Sequence, residues 1–373
     1  MKKKIHLISF DNPYPPNYGG VIDVYYKIKA FYELGVEITL HVFKDGLVRE
    51  SDQLNKYCKK VYYYQRNNKV LSLFSTLPFR VKSRESKLLT KRLKESEAAI
   101  IFEGLHSSSS IVKEDLKSVY VRAHNVEHDY FLGLSKSENN FFKKIFFRIE
   151  SIKLKKYERR FEKLSGIFSI APKEQLYFSS NYNNAFYIPA FHEDSFSVFE
   201  EPSDKFVLWH GDLRVSDNVK SVLFLIEVYK ESNFKFKIAS STYNKEISQA
   251  IGKIDNIEFV ELLNDNELLN LLYKAHVNAL FTFQATGIKL KLLNALYKGR
   301  FILGNSLLTK DTGLSSVCNI ADSKKEFLMQ TKKLFSKPFD KQEILNRKIV
   351  LESFSPKKSA QKMLDIIFSL DSE

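Results

Sequence analysis

Short apolar runs alternate with longer amphipathic stretches in the first half of the chain. The apolar runs have the length of buried strands and occupy residues 5–10, 37–43, 60–64, 98–102, 119–123, 166–170 and 185–188. Stretches with helical periodicity cover residues 21–34, 85–97 and 140–164, and another begins at Pro172. This alternation predicts a parallel sheet with crossover helices.

The second half repeats the pattern after an interruption. Periodicity is lost between residues 189 and 203, a segment that contains Pro189 and Pro202. Strand-like runs then return at residues 206–209, 236–239, 257–260, 277–281, 301–303 and 317–320. Helical segments separate the earlier of these runs, Thr312 and Gly313 predict a further helix start, and the tail carries helical patterns at residues 341–352 and 356–370.

Two doubly wound, Rossmann-like α/β domains account for this organisation. At 373 residues the chain is longer than one ordinary domain of roughly 150 residues. We predict a first domain at residues 1–190, a linker at 191–203 and a second domain at 204–355, with the domains facing each other across a cleft. The terminal helix within residues 356–373 needs a partner for its apolar face, so we expect it to cross back to the first domain.

Cysteine usage and the start of the chain indicate a compartment. Cys58 and Cys318 lie far apart, so neither a disulfide framework nor a metal cluster follows from them, and a reducing compartment fits. Residues 2–10 combine lysines with a short apolar run that contains His6 and meets Asp11, which favours a first strand over a signal peptide. Since no run of about 18 apolar residues occurs, we expect a cytoplasmic protein, with the inner face of the membrane as an alternative place of action.

The chain is strongly basic, with 58 Lys and Arg against 44 Asp and Glu and a net charge of +14. Such a charge implies an anionic partner. Nucleic acid is the weakest choice, because the basic residues are dispersed and no zinc-finger spacing is present. Residues 140–164 place Phe142, Ile145 and Ile149 on one helical face, and Lys and Arg outnumber Glu on the other side. They fit either a peripheral membrane contact or a crossover helix with a solvated basic face.

Residues 281–305 carry the clearest candidate chemistry. A strand ends there, Gly287 provides a turn, and the following helix begins with Lys289 and Lys291. A glycine lets backbone amides approach an anion, and the helix dipole and both lysines add positive potential. Gly299 then closes the helix as a C-terminal cap. The segment predicts a phosphate site; the alternative is an ordinary surface crossover with basic residues for solubility.

Two strand ends in the first half carry further candidates. Gly19 and Gly20 stand directly before a helix, where they either allow a ligand to approach the backbone or form a flexible loop. His124 is the first residue past the strand at 119–123, and Glu127 follows it. Titratable groups at a parallel strand end suit acid/base or hydroxyl-binding roles, the alternative for His124 being a helix cap or a buried, hydrogen-bonded side chain.

Four local motifs follow one another along the chain. They are Asn-Tyr-Gly-Gly at 17–20, Arg-Ala-His-Asn-Val-Glu-His at 122–128, Trp-His-Gly-Asp-Leu at 209–213 and Gly-Ile-Lys-Leu-Lys-Leu-Leu-Asn-Ala at 287–295. In order and spacing they resemble the GT-B glycosyltransferases, in particular family 4 members that build bacterial surface polysaccharides. The resemblance implies the GT-B fold and transfer of a sugar from a nucleotide-diphosphate donor to a glycan or polyprenyl-linked acceptor.

The resemblance also implies roles for individual residues. The two glycines before the first helix would line the donor-phosphate or acceptor side of the cleft, and His124 would bind the donor sugar or position the acceptor. Family members clamp the diphosphate with an arginine directly after a glycine; Asp212 occupies that position here, and Arg214 or Lys220 is the nearest substitute. The donor pocket would further include Gly287, Ile288, Lys289 and Lys291.

The second-domain motif departs from the family at two positions. Family members commonly carry one glutamate near the transferred sugar and another on the ribose hydroxyls of the nucleotide. Thr286 and Asn294 occupy those positions here. An amide can bind hydroxyls, but Thr286 supplies no carboxylate. Support of an oxocarbenium-like transition state would therefore come from elsewhere, such as the leaving diphosphate.

Three functions follow as hypotheses. The first is a retaining glycosyltransferase that needs no metal or other cofactor, because Lys289 and Lys291 would neutralise the leaving diphosphate and no Asp-x-Asp motif with further ligands offers a metal site. The second is a non-catalytic GT-B-like subunit that binds nucleotide or glycan, motivated by the missing carboxylates. The third is an inverting enzyme whose general base comes from the first domain, with the candidates Asp23, Glu103, His124 and Glu127.

Overall fold

Parallel strands and crossover helices make up both halves of the chain. The computed structural model describes residues 3–16, 19–46, 52–68, 72–73, 75–112, 116–138, 140–197, 204–284 and 288–369. The chain divides into two compact units: unit 1 comprises Met1–Phe191 and Pro356–Glu373, and unit 2 comprises His192–Ser355. Each unit has its own parallel sheet.

The sheet of unit 1 has the strand order β3-β2-β1-β4-β5-β6-β7. Its strands are β1 (Lys4–Ser9), β2 (Glu37–Lys44), β3 (Lys60–Gln65), β4 (Ala99–Glu103), β5 (Val119–Ala123), β6 (Gly166–Ser169) and β7 (Ala185–Tyr187). Ile5 of β1 pairs with Ile38 of β2 on one side and with Ala99 of β4 on the other. Every residue of β4 and β5 is buried, including the charged Glu103 and Arg122, as expected for central strands of a parallel sheet that is covered on both faces.

Helices follow most of these strands. They are α1 (Gly19–Glu33), α2 (Asp52–Asn55), α3 (Phe79–Lys82), α4 (Lys87–Lys94), α5 (Glu127–Ser137), α6 (Phe141–Glu158) and α7 (Pro172–Asn181). The side chain of Asn140 caps α6 by accepting from the Lys143 amide. The α-helical part of the segment predicted at 140–164 ends at Glu158, and a 3-10 turn at Arg159–Lys163 continues it.

The sheet of unit 2 has the order β10-β9-β8-β11-β12-β13. Its strands are β8 (Val207–His210), β9 (Phe236–Ser240), β10 (Ile257–Glu261), β11 (Val277–Leu280), β12 (Phe301–Gly304) and β13 (Asn319–Ile320). The remaining helices are α8 (Ser216–Tyr229), α9 (Lys245–Ile251), α10 (Asp265–Lys274), α11 (Leu290–Lys298), α12 (Ser306–Thr309), α13 (Lys324–Phe335), α14 (Lys341–Leu351) and α15 (Pro356–Ser369). No helix in the described part of the chain is long and apolar enough to cross a membrane.

The last helix, α15, belongs to unit 1. Its apolar face joins the core that contains Val24 and Ile28 of α1, through the side chains of Ala360, Met363, Leu364 and Ile367. The Tyr120 hydroxyl also donates to the Ile367 carbonyl, at 3.3 Å. The predicted return of the terminal helix to the first domain is confirmed.

Strand order reverses beside β1 in unit 1 and beside β8 in unit 2. In open sheets of this kind, ligands bind beyond the carboxyl ends of the strands at the point of reversal. The predicted fold class, two doubly wound Rossmann-like domains, is confirmed. Residues that follow β1 and β4 in unit 1, and β8 and β11 in unit 2, are therefore the first candidates for a site.

The helix start predicted at Thr312 is wrong. A 3-10 turn at Ser315–Val317 occupies this part of unit 2. Before it, Asp311 and Gly313 have positive φ angles of 58° and 78°. Left-handed backbone at two nearby positions cannot continue a right-handed helix, so the chain turns instead.

Helix α11 begins at Leu290, later than the start predicted at Gly287. Thr286 and Gly287 lie outside the described residues. Gly299 ends the helix as predicted, but its φ of −107° suits any residue. The need for glycine is one of space, because a Cβ there would collide with the Asn278 amide and lie 2.9 Å from the Ala295 carbonyl oxygen.

Candidate functional site

Four buried charged side chains join α1 to the ends of β4 and β5 in unit 1. Lys27 Nζ lies 2.9 Å from Asp23 Oδ2 and 2.6 Å from Glu103 Oε1. Arg122 contacts the same aspartate twice, with Nη2 at 2.8 Å from Oδ1 and Nε at 3.1 Å from Oδ2. Two cations and two carboxylates therefore form one compensated network, which we call the unit 1 charge network.

Asp23 is the centre of this network. Burial alone would raise the pKa of its carboxyl, but Arg122 and Lys27 hold that pKa well below its usual value. The carboxylate also accepts from the Phe191 amide at 2.8 Å, and Arg122 donates to the carbonyls of Ile188 and Pro189. The network thus fixes α1 and the chain segment that leaves β7.

His124 lies at the edge of the unit 1 charge network, directly after β5. Its Nε2 is 3.1 Å from Glu103 Oε2, and its ring meets the Phe10 ring edge-on at 5.6 Å between centroids. A carboxylate only accepts, so we assign the proton to Nε2. In the neutral ring Nδ1 is then an acceptor, and none of the described residues donates to it.

Glu127 and His106 form a second titratable pair in unit 1. Glu127 Oε2 lies 3.3 Å from His106 Nε2. Burial raises the pKa of Glu127 to about 7, with Arg80 opposing the shift, and burial lowers the pKa of His106 well below its usual value. Near pH 7 the pair can therefore share a proton as carboxylic acid and neutral imidazole. His106 follows β4 much as His124 follows β5, so its position after a strand is a signal of the same kind in the sequence.

Phe10 connects these side chains. It follows β1, and its ring lies near both His124 and His106, with the second centroid 6.3 Å away. A Cβ on Gly20 would lie 2.6 Å from Phe10 Cζ. The absence of a side chain at Gly20 is therefore explained by the phenylalanine, without any ligand. Gly19 is the first residue of α1 and is exposed.

Asp23, Glu103 and His124 present three ligand atoms within 4.8 Å of one another, a spacing that suits a metal ion. Both carboxylates, however, already bind the fixed cations Lys27 and Arg122. A divalent ion would face two positive charges in a buried setting. These residues therefore fit an internal ion network better than a metal centre.

In unit 2, the first turn of α8 is tied to the loop after β11. Asp217 accepts from the Thr282 hydroxyl at 2.9 Å and from the Phe283 amide at 3.3 Å. The next residue, Asn218, donates to the Asp212 carbonyl at 2.8 Å. These contacts bring the ends of β8 and β11 together around the start of α11.

Lys291, in the first turn of α11, lies beside these strand ends. We call Lys291 and its contacts with Asn218 and Trp209 the unit 2 lysine site. Its Nζ donates to Asn218 Oδ1 at 2.9 Å and lies 5.0 Å from the centre of the Trp209 ring. Burial lowers the pKa of Lys291 to about 7, and the neighbouring positive charge of Lys289 lowers it further. Its hydrogen-bond partner is a neutral amide, and the negative charge of Asp217 opposes the lowering of the pKa only in part, so the ammonium charge is incompletely compensated.

His210, the last residue of β8, lies close to the unit 2 lysine site. Its side chain is buried, and neither ring nitrogen has a hydrogen-bond partner among the described residues. Burial, followed by the charge of Lys291, lowers the pKa of His210 to about 3. The ring is therefore neutral and adds no charge of its own.

The other predicted donor residues are placed differently. Arg214 is exposed and folds back onto Asp212, with Nη2 at 2.8 Å from Oδ2, so its charge is partly compensated. Lys220 is exposed on α8, Ile288 is buried, and Asn294 is partly buried on α11. Their roles in binding a donor remain predictions, as do those of Gly19, Gly20, His124 and Glu127.

Comparison with known proteins establishes the fold of the chain. No family model matches the sequence. An uncharacterized 44.6 kDa protein in the cps region of Klebsiella pneumoniae is 29% identical over 337 residues, which cover 83% of this chain and 84% of the relative.

Among solved structures, TarM of S. aureus superposes with a TM-score of 0.69 and 13% identity over 99% of both chains. The chain has the GT-B fold. A second TarM structure contains alpha-GlcNAc-glycerol and UDP, and it matches with a TM-score of 0.67, 13% identity and coverage of 98% of this chain and 100% of TarM. HepE of Anabaena, solved with UDP and glucose, matches with a TM-score of 0.65 and 12% identity over 100% of both chains. At these identities the likeness establishes the fold and leaves the activity to the chemistry of the site.

Proposed function

We propose that this protein is a glycosyltransferase, similar to family 4 enzymes, that transfers a sugar from a nucleotide-diphosphate donor to a glycan or lipid-linked acceptor. The GT-B fold supports the proposal, as do the structures with bound UDP and sugar. The relative from a cps region supports an acceptor in polysaccharide synthesis.

The unit 2 lysine site is the observation that carries the proposal. Lys291 is held in a weakly compensated environment beside the first turns of α8 and α11, at the strand ends where doubly wound sheets bind ligands. A diphosphate supplies the missing negative charge, and the amide groups at the start of α11 favour the same anion. Lys289 adds a second cation nearby.

If Lys289 and Lys291 neutralise the charge of the leaving diphosphate, the reaction needs no metal ion for that purpose. In the proposed reaction the bond between the sugar C1 and the diphosphate oxygen breaks, and the acceptor oxygen forms a bond to C1. The proton of the acceptor hydroxyl passes to an oxygen of the leaving diphosphate. Lys289 and Lys291 stabilise the negative charge that develops on that group, and attack from the side of departure retains the anomeric configuration.

His124 would contribute from unit 1 by accepting a hydroxyl hydrogen bond at Nδ1, from either donor sugar or acceptor. Glu103 positions the ring by holding Nε2. This same contact supports an inverting reaction as the second candidate, with His124 as the base that removes the acceptor proton. Glu127, held partly protonated beside His106, is the further candidate for an acid/base role.

Calorimetric titration with UDP and other nucleoside diphosphates tests the proposal. We expect Lys291→Ala and Lys289→Ala to weaken binding at least ten-fold each, as loss of a charged hydrogen bond does, while Lys332→Ala, an exposed lysine on α13, leaves it unchanged. Equal affinities of all variants would contradict the assignment of the site.

Product analysis separates the alternatives. NMR of the anomeric proton, after incubation with nucleotide sugars and lipid-linked glycans, distinguishes retention from inversion. Nucleotide binding without donor hydrolysis or transfer would instead favour a non-catalytic subunit.

A further inference from the structure

Helix α6 exposes an apolar surface that no other described element covers. Its exposed apolar side chains are Phe141 at 66%, Phe142 at 81%, Ile145 at 42%, Ile149 at 46% and Ile152 at 66% of their full accessibility. Spacings of three and four residues place them along one side of the helix. We call these five side chains the α6 stripe; at 1.5 Å per residue the stripe is about 17 Å long.

The opposite side of α6 provides the packing contacts. Leu154 and Tyr157 are buried there and join the core of unit 1, and Ser151 donates to the His128 carbonyl of α5 at 2.7 Å. One face of the helix is therefore packed against unit 1, and the α6 stripe lies on its other, solvent-facing side.

The charges on α6 are divided by burial. Its basic residues are Lys143, Lys144, Arg148, Lys153, Lys155 and Lys156, and none of them is buried. Its acidic residues, Glu150 and Glu158, are both buried on the packing side. The solvent-facing surface of this helix thus combines large apolar groups with positive charges only.

We propose that the α6 stripe docks unit 1 on an anionic lipid bilayer. Phenylalanine and isoleucine side chains would enter the boundary between headgroups and acyl chains, and the lysines and Arg148 beside them would contact lipid phosphates. A second copy of this chain fits the surface less well, because a symmetric contact would bring two positively charged faces together.

This inference does not depend on the proposed reaction. Docking would hold the protein at the surface where a lipid-linked acceptor lies, but the surface itself is made by α6 alone. If the protein failed to bind lipid, the proposed role of the unit 2 lysine site would still stand. If it failed to bind nucleotide, the proposed role of the α6 stripe would still stand.

Co-sedimentation with vesicles tests the docking surface. Full-length protein should sediment with vesicles of equimolar phosphatidylglycerol and phosphatidylcholine and remain in the supernatant with phosphatidylcholine alone. The double variant Phe142→Glu/Ile149→Glu should bind at least ten-fold more weakly, since two apolar anchors are lost. Ile349→Glu, at an isoleucine on α14 that is more exposed than Ile149, is the control and should bind like the wild type.

A charge-reversal pair tests the electrostatic part. Lys144→Glu/Arg148→Glu/Lys156→Glu should abolish binding, whereas Lys325→Glu/Lys332→Glu/Lys333→Glu on α13 changes the net charge equally and should retain most of it. An unchanged melting temperature and UDP affinity would show that each variant is folded.

Three results would overturn the proposal. The first is wild-type vesicle binding by the Phe142→Glu/Ile149→Glu variant, and the second is equal loss in the two charge-reversal variants. The third is a lipid-independent dimer that the Phe142→Glu/Ile149→Glu change dissociates, which would assign the stripe to a second copy of the chain.

Discussion

Lys291 should make nucleotide-diphosphate binding depend on pH. Its pKa in the free protein is about 7, so about half of the molecules carry the charge at pH 7 and about 1% at pH 9. A bound diphosphate favours the charged form and raises this pKa, so binding takes up a proton. Affinity is then greatest below pH 7 and falls as pH rises through the free-protein pKa, by up to about 50-fold between pH 7 and pH 9.

Isothermal titration with UDP between pH 6 and 9 measures this effect. Repeating each titration in buffers of different ionisation enthalpy gives the number of protons taken up, which should approach one near pH 8. The terminal phosphate of UDP is already ionised above about pH 7 and adds no slope there. Lys291→Arg keeps its charge throughout and should give an affinity that is flat over this range.

A wild-type affinity that stays constant between pH 7 and 9 would refute the reasoning. The same refutation would follow if Lys291→Arg showed the wild-type slope, because the titrating group would then lie elsewhere. Lys332→Ala provides the control for nonspecific loss of positive charge.

Two stability predictions concern buried groups elsewhere. Burial raises the pKa of Glu158 from 4.5 to about 7, so stability falls as pH rises through this window; Glu158→Gln should stabilise the fold by up to about 3 kcal/mol at pH 8 and leave it unchanged at pH 4, as measured by thermal unfolding. Equal melting temperatures at pH 8 would contradict this. Gly299→Ala should destabilise by about 1–3 kcal/mol because its methyl group collides with Asn278; an unchanged denaturation midpoint would show that the amide yields.

The strands were predictable because burial on both faces leaves a direct signal. Residues 119–123, predicted as a strand although Arg122 interrupts the apolar run, coincide with β5, and the run at 37–43 differs from β2 by one residue at its end. The fold class then follows from the alternation of these runs with helical stretches. The turn at Asp311 was not predictable, since left-handed backbone at a non-glycine residue leaves no pattern in the apolar positions.

Glycine positions were predicted better than their causes. Gly20 suggested close approach by a ligand, whereas the nearest atom to its missing Cβ belongs to Phe10. Gly299 ends α11 as predicted, but the space that a side chain would need there is taken by Asn278. Phe10 follows β1 and Asn278 lies in β11, and a single sequence does not reveal which side chain occupies the space above a glycine.

For the charged residues of the candidate site, too, the sequence does not reveal which residues lie next to them in the fold. Lys27 follows Asp23 by four residues on α1, a spacing typical of an exposed helical ion pair. Its burial depends on Glu103, which lies 76 residues away in the sequence. Lys291 was identified from its place after a strand, but its lowered pKa depends on the packing of α11 against Trp209 and Asn218.

The two units differ in how fully their charged side chains are paired with opposite charges. In the unit 1 charge network, Asp23 and Glu103 are matched by Lys27 and Arg122, so an incoming anion would gain little there. In unit 2, by contrast, Lys291 contacts a neutral amide and has its pKa lowered by burial. A half-buried cation of this kind gains most from a ligand that carries negative charge, because the attraction offsets the cost of its desolvation. This contrast supports our proposal that the diphosphate binds in unit 2 and that His124 of unit 1 serves the hydroxyls of a sugar or an acceptor.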